Sequence, residues 1–166
     1  MMLGLSLSAF TTLHVVISLL AIVAGLIVMF GMVGSKKAPG LTTFFLIFTI
    51  LTSVTGFMFP FNGVTPGILI GILSVILLAI ACLALCGMKL FGAWRWIYVL
   101  TALASLYLNV FVLVIQSFLK VPALRALAPS VPPNPPGGPI FGSVQGIVLV
   151  FFVVMIIRVW RSFRPT

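Results

Sequence analysis

His14 is the only imidazole in the sequence, and Cys82 and Cys86 are the only thiols. Among all 166 residues there is no Asp and no Glu. That absence removes paired-carboxylate acid–base chemistry, Ser-His-Asp triads, carboxylate cages for Ca²⁺ or Mg²⁺ and carboxylate proton relays. One imidazole and two thiols fall short of the four ligands of a structural zinc site, and a bis-His haem cannot form within one chain. Walker loops, dinucleotide fingerprints and nucleophile elbows are also missing. The expectation is a non-enzymatic protein with no catalytic, metal or cofactor-binding residues. For His14 two uses stay open: an interfacial, hydrogen-bonded histidine, or a group that meets a quinone. Cys82 and Cys86, four apart in sequence, read as packing residues, because a disulfide at that spacing within one helix is geometrically awkward.

The most informative pattern is a polar stripe. Tyr98, Thr101, Ser105, Asn109, Gln116 and Lys120 fall within about 100° of one another at helical spacing, against a face of Leu, Val, Ile and Phe. Such a stripe must face protein or water, because lipid cannot satisfy amides and hydroxyls. It either bonds neighbouring helices together or lines a polar cavity or permeation path. A second group lies at one level of the chain's helices: His14, Thr52, Ser53, Thr55, Asn62, Arg125 and Gln145, with Gln116 and Lys120. If rotation brings them together, a cationic, amide-rich site without carboxylates favours an anion, a lipid headgroup or a quinone carbonyl over a metal. The plainer use of Lys120 and Arg125 is snorkelling toward lipid phosphates.

The elements that position these groups follow from composition. Hydrophobic residues make up 63% of the chain and charged residues 5%, where a soluble domain carries about 25% charged residues. A water-soluble fold is excluded. Five stretches are apolar and long enough to cross a hydrocarbon core of about 30 Å as helices: residues 13–33, 41–59, 67–88, 96–119 and 140–157. Alternating strands of a barrel are not seen. The expected fold is therefore all-α, a single polytopic bundle of five spans over 1–166, with Met1–Thr12 an apolar lead-in. A Pro-rich connection, 120–139, lies outside the membrane, and Val121–Ala128 has room for a short interfacial helical turn.

Seven of the nine basic residues (Lys36, Lys37, Lys89, Arg95, Arg158, Arg161 and Arg164) fall on one side of this arrangement. Lys120 and Arg125 fall on the other. The positive-inside rule makes the seven-residue side cytoplasmic, with the N-terminus outside and the C-terminus inside. Trp94, Trp96 and Trp160 belong to the same interface. Arg158, Arg161 and Arg164 continue the last helix and meet lipid headgroups, preferentially anionic ones. Nucleic acid is not an expected partner. Ala21-xxx-Gly25, Gly67-xxx-Gly71 and Gly142-xxx-Gly146 are small-residue pairs of the kind that bring helices close, within the chain or between chains.

The segments Leu51–Phe61, Leu108–Val114 and Phe118–Leu124 resemble a group of small, uncharacterised bacterial inner-membrane proteins. The resemblance implies a multi-pass protein of the bacterial cytoplasmic membrane and brings no activity with it. In that group a histidine often follows the Phe-Pro-Phe element, where this chain has Asn62, which speaks against a two-histidine site. The leading expectation is an accessory, scaffold or assembly component acting through helix–helix contacts, as a homo-oligomer or within a larger membrane complex. The alternatives are a small channel or transporter for anions or neutral solutes along the stripe, and quinone or lipid binding near the outer leaflet.

Overall fold

A computed structural model describes residues 4–60, 66–128 and 136–164. Those residues form helices, with no strand among them. The first helix, α1 (Leu7–Val33), starts earlier than residue 13, so residues 7–12 are helical and continuous with it. The cause is local. Ser6 sits in extended backbone and its hydroxyl accepts the Ala9 N–H at 3.2 Å, a serine N-cap. Thr11 and Thr12 donate to the carbonyls of Leu7 and Ser8, so their hydroxyls are satisfied within the helix.

Helix α2 (Pro39–Phe57) opens on a proline, whose missing N–H costs nothing in a first turn. It stops short of residue 59, where Met58 turns back to the Thr55 carbonyl and Pro60 follows. Helix α3 (Pro66–Cys82) does not end as an α-helix: Leu83–Gly87 widen into a π turn. Lys89, Leu90 and Gly92, at φ of 48°, 60° and 56°, then reverse the chain through left-handed backbone. Helix α4 (Trp94–Lys120) runs slightly beyond the expected span at each end, and α5 (Pro122–Leu127) is the short turn expected after it. Helix α6 (Pro139–Ser162) extends well past residue 157, so Arg158 and Arg161 are helical and Arg164 lies beyond the end.

Five helices, with α3 counted through its π turn, are long and apolar enough to cross a membrane. α1 pairs with α2, α2 meets α3, and α3 packs along α4; α6 lies against α4 and α1. Helix α4 is the centre, touching every other long helix. Its Tyr98, Val99, Ala102, Leu103 and Leu106 are buried with Ala24, Val28, Met29, Phe45, Leu78 and Phe152. Outward faces carry large apolar side chains such as Ile27, Ile147 and Val150. Lipid is as apolar as they are, so packing and hydrogen bonds, not burial from water, hold the helices together.

The loops around residues 34–38 and 88–93 and the end of α6 form one end of the bundle. Ser35 donates its hydroxyl to the Ser162 carbonyl and accepts the Arg164 N–H at 3.0 Å. Trp96 and Trp160 stack at 5.3 Å, and the Arg95 guanidinium lies 3.8 Å over the Trp96 ring. The seven basic residues grouped by sequence thus share this basic end, while Lys120 and Arg125 follow the opposite one.

Candidate functional site

At the opposite end the first four helices separate around a cavity of about 690 Å³, within the ~300–1,000 Å³ common for small-molecule sites. Each helix contributes a matching stretch. α1 gives Thr11 to Ile22, α2 and its exit Thr52 to Pro60, α3 Gly67 to Ser74, and α4 and its exit Leu108 to Val121. From Asn109 to Lys120 the chamber is roughly 16 Å deep at helical rise. Exposed Pro60, Lys120 and Val121 line its upper end, so it reaches the surface there. Below Asn109 it is closed by Thr49, Leu78, Ser105 and Leu106, each 0–1% exposed.

The polar stripe of α4 therefore divides. Tyr98, Thr101 and Ser105 are buried beneath the chamber, whereas Asn109, Gln116 and Lys120 line it. Thr101 and Ser105 donate to the carbonyls of Ile97 and Thr101, one turn back in their own helix, at 2.7 and 2.9 Å. They do not tie α4 to its neighbours. The Tyr98 hydroxyl lies beside Thr42 of α2 without a partner at hydrogen-bond distance, and the Asn109 Nδ2 is likewise buried and unpartnered. A buried donor left unpaired costs about 1–3 kcal/mol.

Of the second group, His14, Thr52 and Ser53 join Gln116 and Lys120 on the chamber wall. Arg125 is exposed on α5 and does not line it. Gln145 is buried on the other side of α4, where its Nε2 donates to the Phe111 carbonyl at 3.1 Å and its Oε1 has no partner. Asn62 lies outside the described residues. Arg158 and Arg161 are exposed at the basic end, as is Arg164.

His14 is held from three directions. Its Nδ1 lies 2.7 Å from the Thr55 Oγ1 of α2. Phe59 meets the ring edge-on at 5.3 Å, and Gly56 leaves room for the Cε1 edge. Thr55 could not be read as its partner from sequence, because helix rotation decides which threonine of α2 faces α1. Other lining residues were missed although a signal existed. Thr11, His14 and Ser18 share one face of α1 by their spacing of three and four. Ser74 is the lone hydroxyl in α3, and it receives the Ser53 hydroxyl at 3.4 Å. The walls between these polar groups are Leu19, Ile22, Ile70, Leu108, Val112 and Leu113.

No protein-family model matches this chain, and neither does any curated protein or solved structure.

Proposed function

We propose that this chain is a multi-pass protein of the bacterial cytoplasmic membrane that binds a lipid-like, amphipathic molecule. The basic end faces the cytoplasm, and the chamber opens in the outer half of the bilayer. One observation carries the proposal: a 690 Å³ space between α1, α2, α3 and α4, with aliphatic walls and polar groups at the level of His14, Gln116 and Lys120. A water-filled conduit would need a polar route past Asn109, and that level is filled by Thr49, Leu78, Ser105 and Leu106. Binding, and not conduction, is the use that matches a chamber closed at one end.

The test is native mass spectrometry of protein released from mild detergent, with lipid extraction of the same sample. Wild type should carry an adduct of lipid mass, and Leu113→Trp, which fills the chamber, should lose it. Bare wild-type protein would overturn the proposal. A second use, assembly through helix faces, is favoured by α6: a Cβ at Gly142 or Gly146 would meet nothing within 4 Å, so this small-residue pair is unused within the chain.

A further inference from the structure

The hydrogen bonds of Thr55 fix the chemistry that His14 offers the chamber. The Thr55 Oγ1 lies 2.7 Å from the Leu51 carbonyl of its own helix. Two oxygens at that separation require a proton between them, and only the hydroxyl has one to give. With its proton committed to Leu51, Thr55 can only accept from His14, so the imidazole carries its proton on Nδ1. The Nε2 of the neutral ring is then a lone pair, with no protein partner among the described residues. Lys120, at the end of α4, lines the same chamber. Because the chain contains no Asp or Glu, no side chain of its own can neutralise Lys120.

An acceptor and a cation set at one level, above aliphatic walls, select a particular kind of head. We propose that the chamber takes a single-chain amphiphile ending in a carboxylic acid, with its head between His14 Nε2 and the Lys120 ammonium and its chain running down toward Asn109. This rests on the chamber being a ligand site and adds the head chemistry and the direction of the ligand. One proton completes the bond to His14 in either position. A carboxylic acid O–H donates to the neutral Nε2, or the proton moves to Nε2 and the imidazolium donates to the carboxylate. The remaining carboxyl oxygen accepts from Lys120, a charge-assisted bond. An alcohol can donate to Nε2 but brings no charge for Lys120, and an ammonium is repelled by it. The chain lies against Leu19, Ile22, Ile70, Leu108, Val112 and Leu113.

Equilibrium binding in zwitterionic nanodiscs tests this with three probes of one chain length: palmitate, hexadecanol and hexadecylamine. Palmitate should bind about tenfold tighter than hexadecanol, with hexadecylamine weakest. Lys120→Gln, an exposed substitution that leaves the packed core untouched, should erase the advantage of palmitate over hexadecanol. The single histidine provides a second readout. In protein carrying ¹⁵N-labelled histidine, palmitate should move the Nε2 resonance away from its lone-pair position while Nδ1 stays protonated. Equal binding of palmitate and hexadecanol, an advantage that survives Lys120→Gln, or an unmoved Nε2 at saturation would overturn the head assignment and leave the chamber standing. Failure of all three probes to bind would remove the chamber reading itself.

Discussion

Gly25 of α1 faces Leu106 of α4 so closely that a Cβ on the glycine would lie 2.6 Å from the leucine Cδ1, and 2.7 Å from the Phe45 ring of α2. Both neighbours are at most 1% exposed and have nowhere to move. The contact sits just below the chamber and brings three helices together where the bundle is closed. Gly25→Ala should therefore destabilise the fold by about 1–3 kcal/mol. In a thermal melt of detergent-solubilised protein that means a loss of roughly 2–4 °C per kcal/mol. An unchanged melting temperature would mean that α1 is free to move away from α4.

Gly142 and Gly146 of α6 form the same small-residue pattern in the opposite situation, since a Cβ there meets nothing. Gly142→Ile with Gly146→Ile should leave the monomer's melting temperature within about 2–4 °C of wild type, because surface changes usually stay within ±0.5 kcal/mol each. If copies of this chain assemble through α6, the same double variant should shift native mass spectra toward monomer. Comparing the two measurements separates a fold contact from an assembly contact.

These two small-residue motifs also mark how far sequence could go. The all-helical class and the number of long apolar helices were legible, because length and hydropathy alone decide what can cross a bilayer. The shared end of Lys36, Lys89, Arg95 and Arg158 was legible too, since an up-and-down bundle places alternate loops together. Rotation was not. Gly25 and Gly142 look alike in sequence, yet one is pinned and the other open. Gln145 and Gln116 look like partners by level, yet they lie on different sides of α4. The stripe of α4 was legible as a stripe, but its division at Asn109 depends on where neighbouring helices part, which no periodicity in α4 records. Helix ends were limited by local chemistry: the Ser6 cap and the π turn at Leu83–Gly87 are decided by individual backbone bonds.

Asn109 gives a prediction in which stability and polarity separate. Its Nδ2 is buried without a partner at the base of the chamber, so the side chain costs the fold energy it does not recover. Asn109→Leu should raise stability, by about 1 kcal/mol for removal of one unpaired buried donor. In liposome flux assays the same change should have no effect, because the level below Asn109 is already packed. A fall in melting temperature would show that the amide does find a partner, and a fall in solute flux would restore a path along the α4 stripe.

The basic end offers the sharpest test of orientation. Seven cations share it, two follow the other end, and no acidic side chain exists to offset either group. Each cation near an anionic surface contributes about 1 kcal/mol of attraction. Replacing Arg158, Arg161 and Arg164 together by Gln should cut the preference for anionic over zwitterionic nanodiscs by up to about a hundredfold, from up to ~3 kcal/mol. Orientation should survive, because four cations still face two. A C-terminal green fluorescent protein fusion should stay bright and an alkaline phosphatase fusion inactive, in wild type and in the triple variant. Removing Lys36, Lys37, Lys89 and Arg95 as well leaves none against two, and the phosphatase fusion should then become active in part of the population. The Trp96–Trp160 stack, 5.3 Å between ring centres, joins α4 to α6 at that same end, with the Arg95 guanidinium over the Trp96 ring. Its survival in the fully neutralised variant, read by tryptophan near-ultraviolet circular dichroism, would separate a change of orientation from a loss of fold. A phosphatase fusion active in wild type would place the basic end outside and move the chamber to the inner half of the membrane.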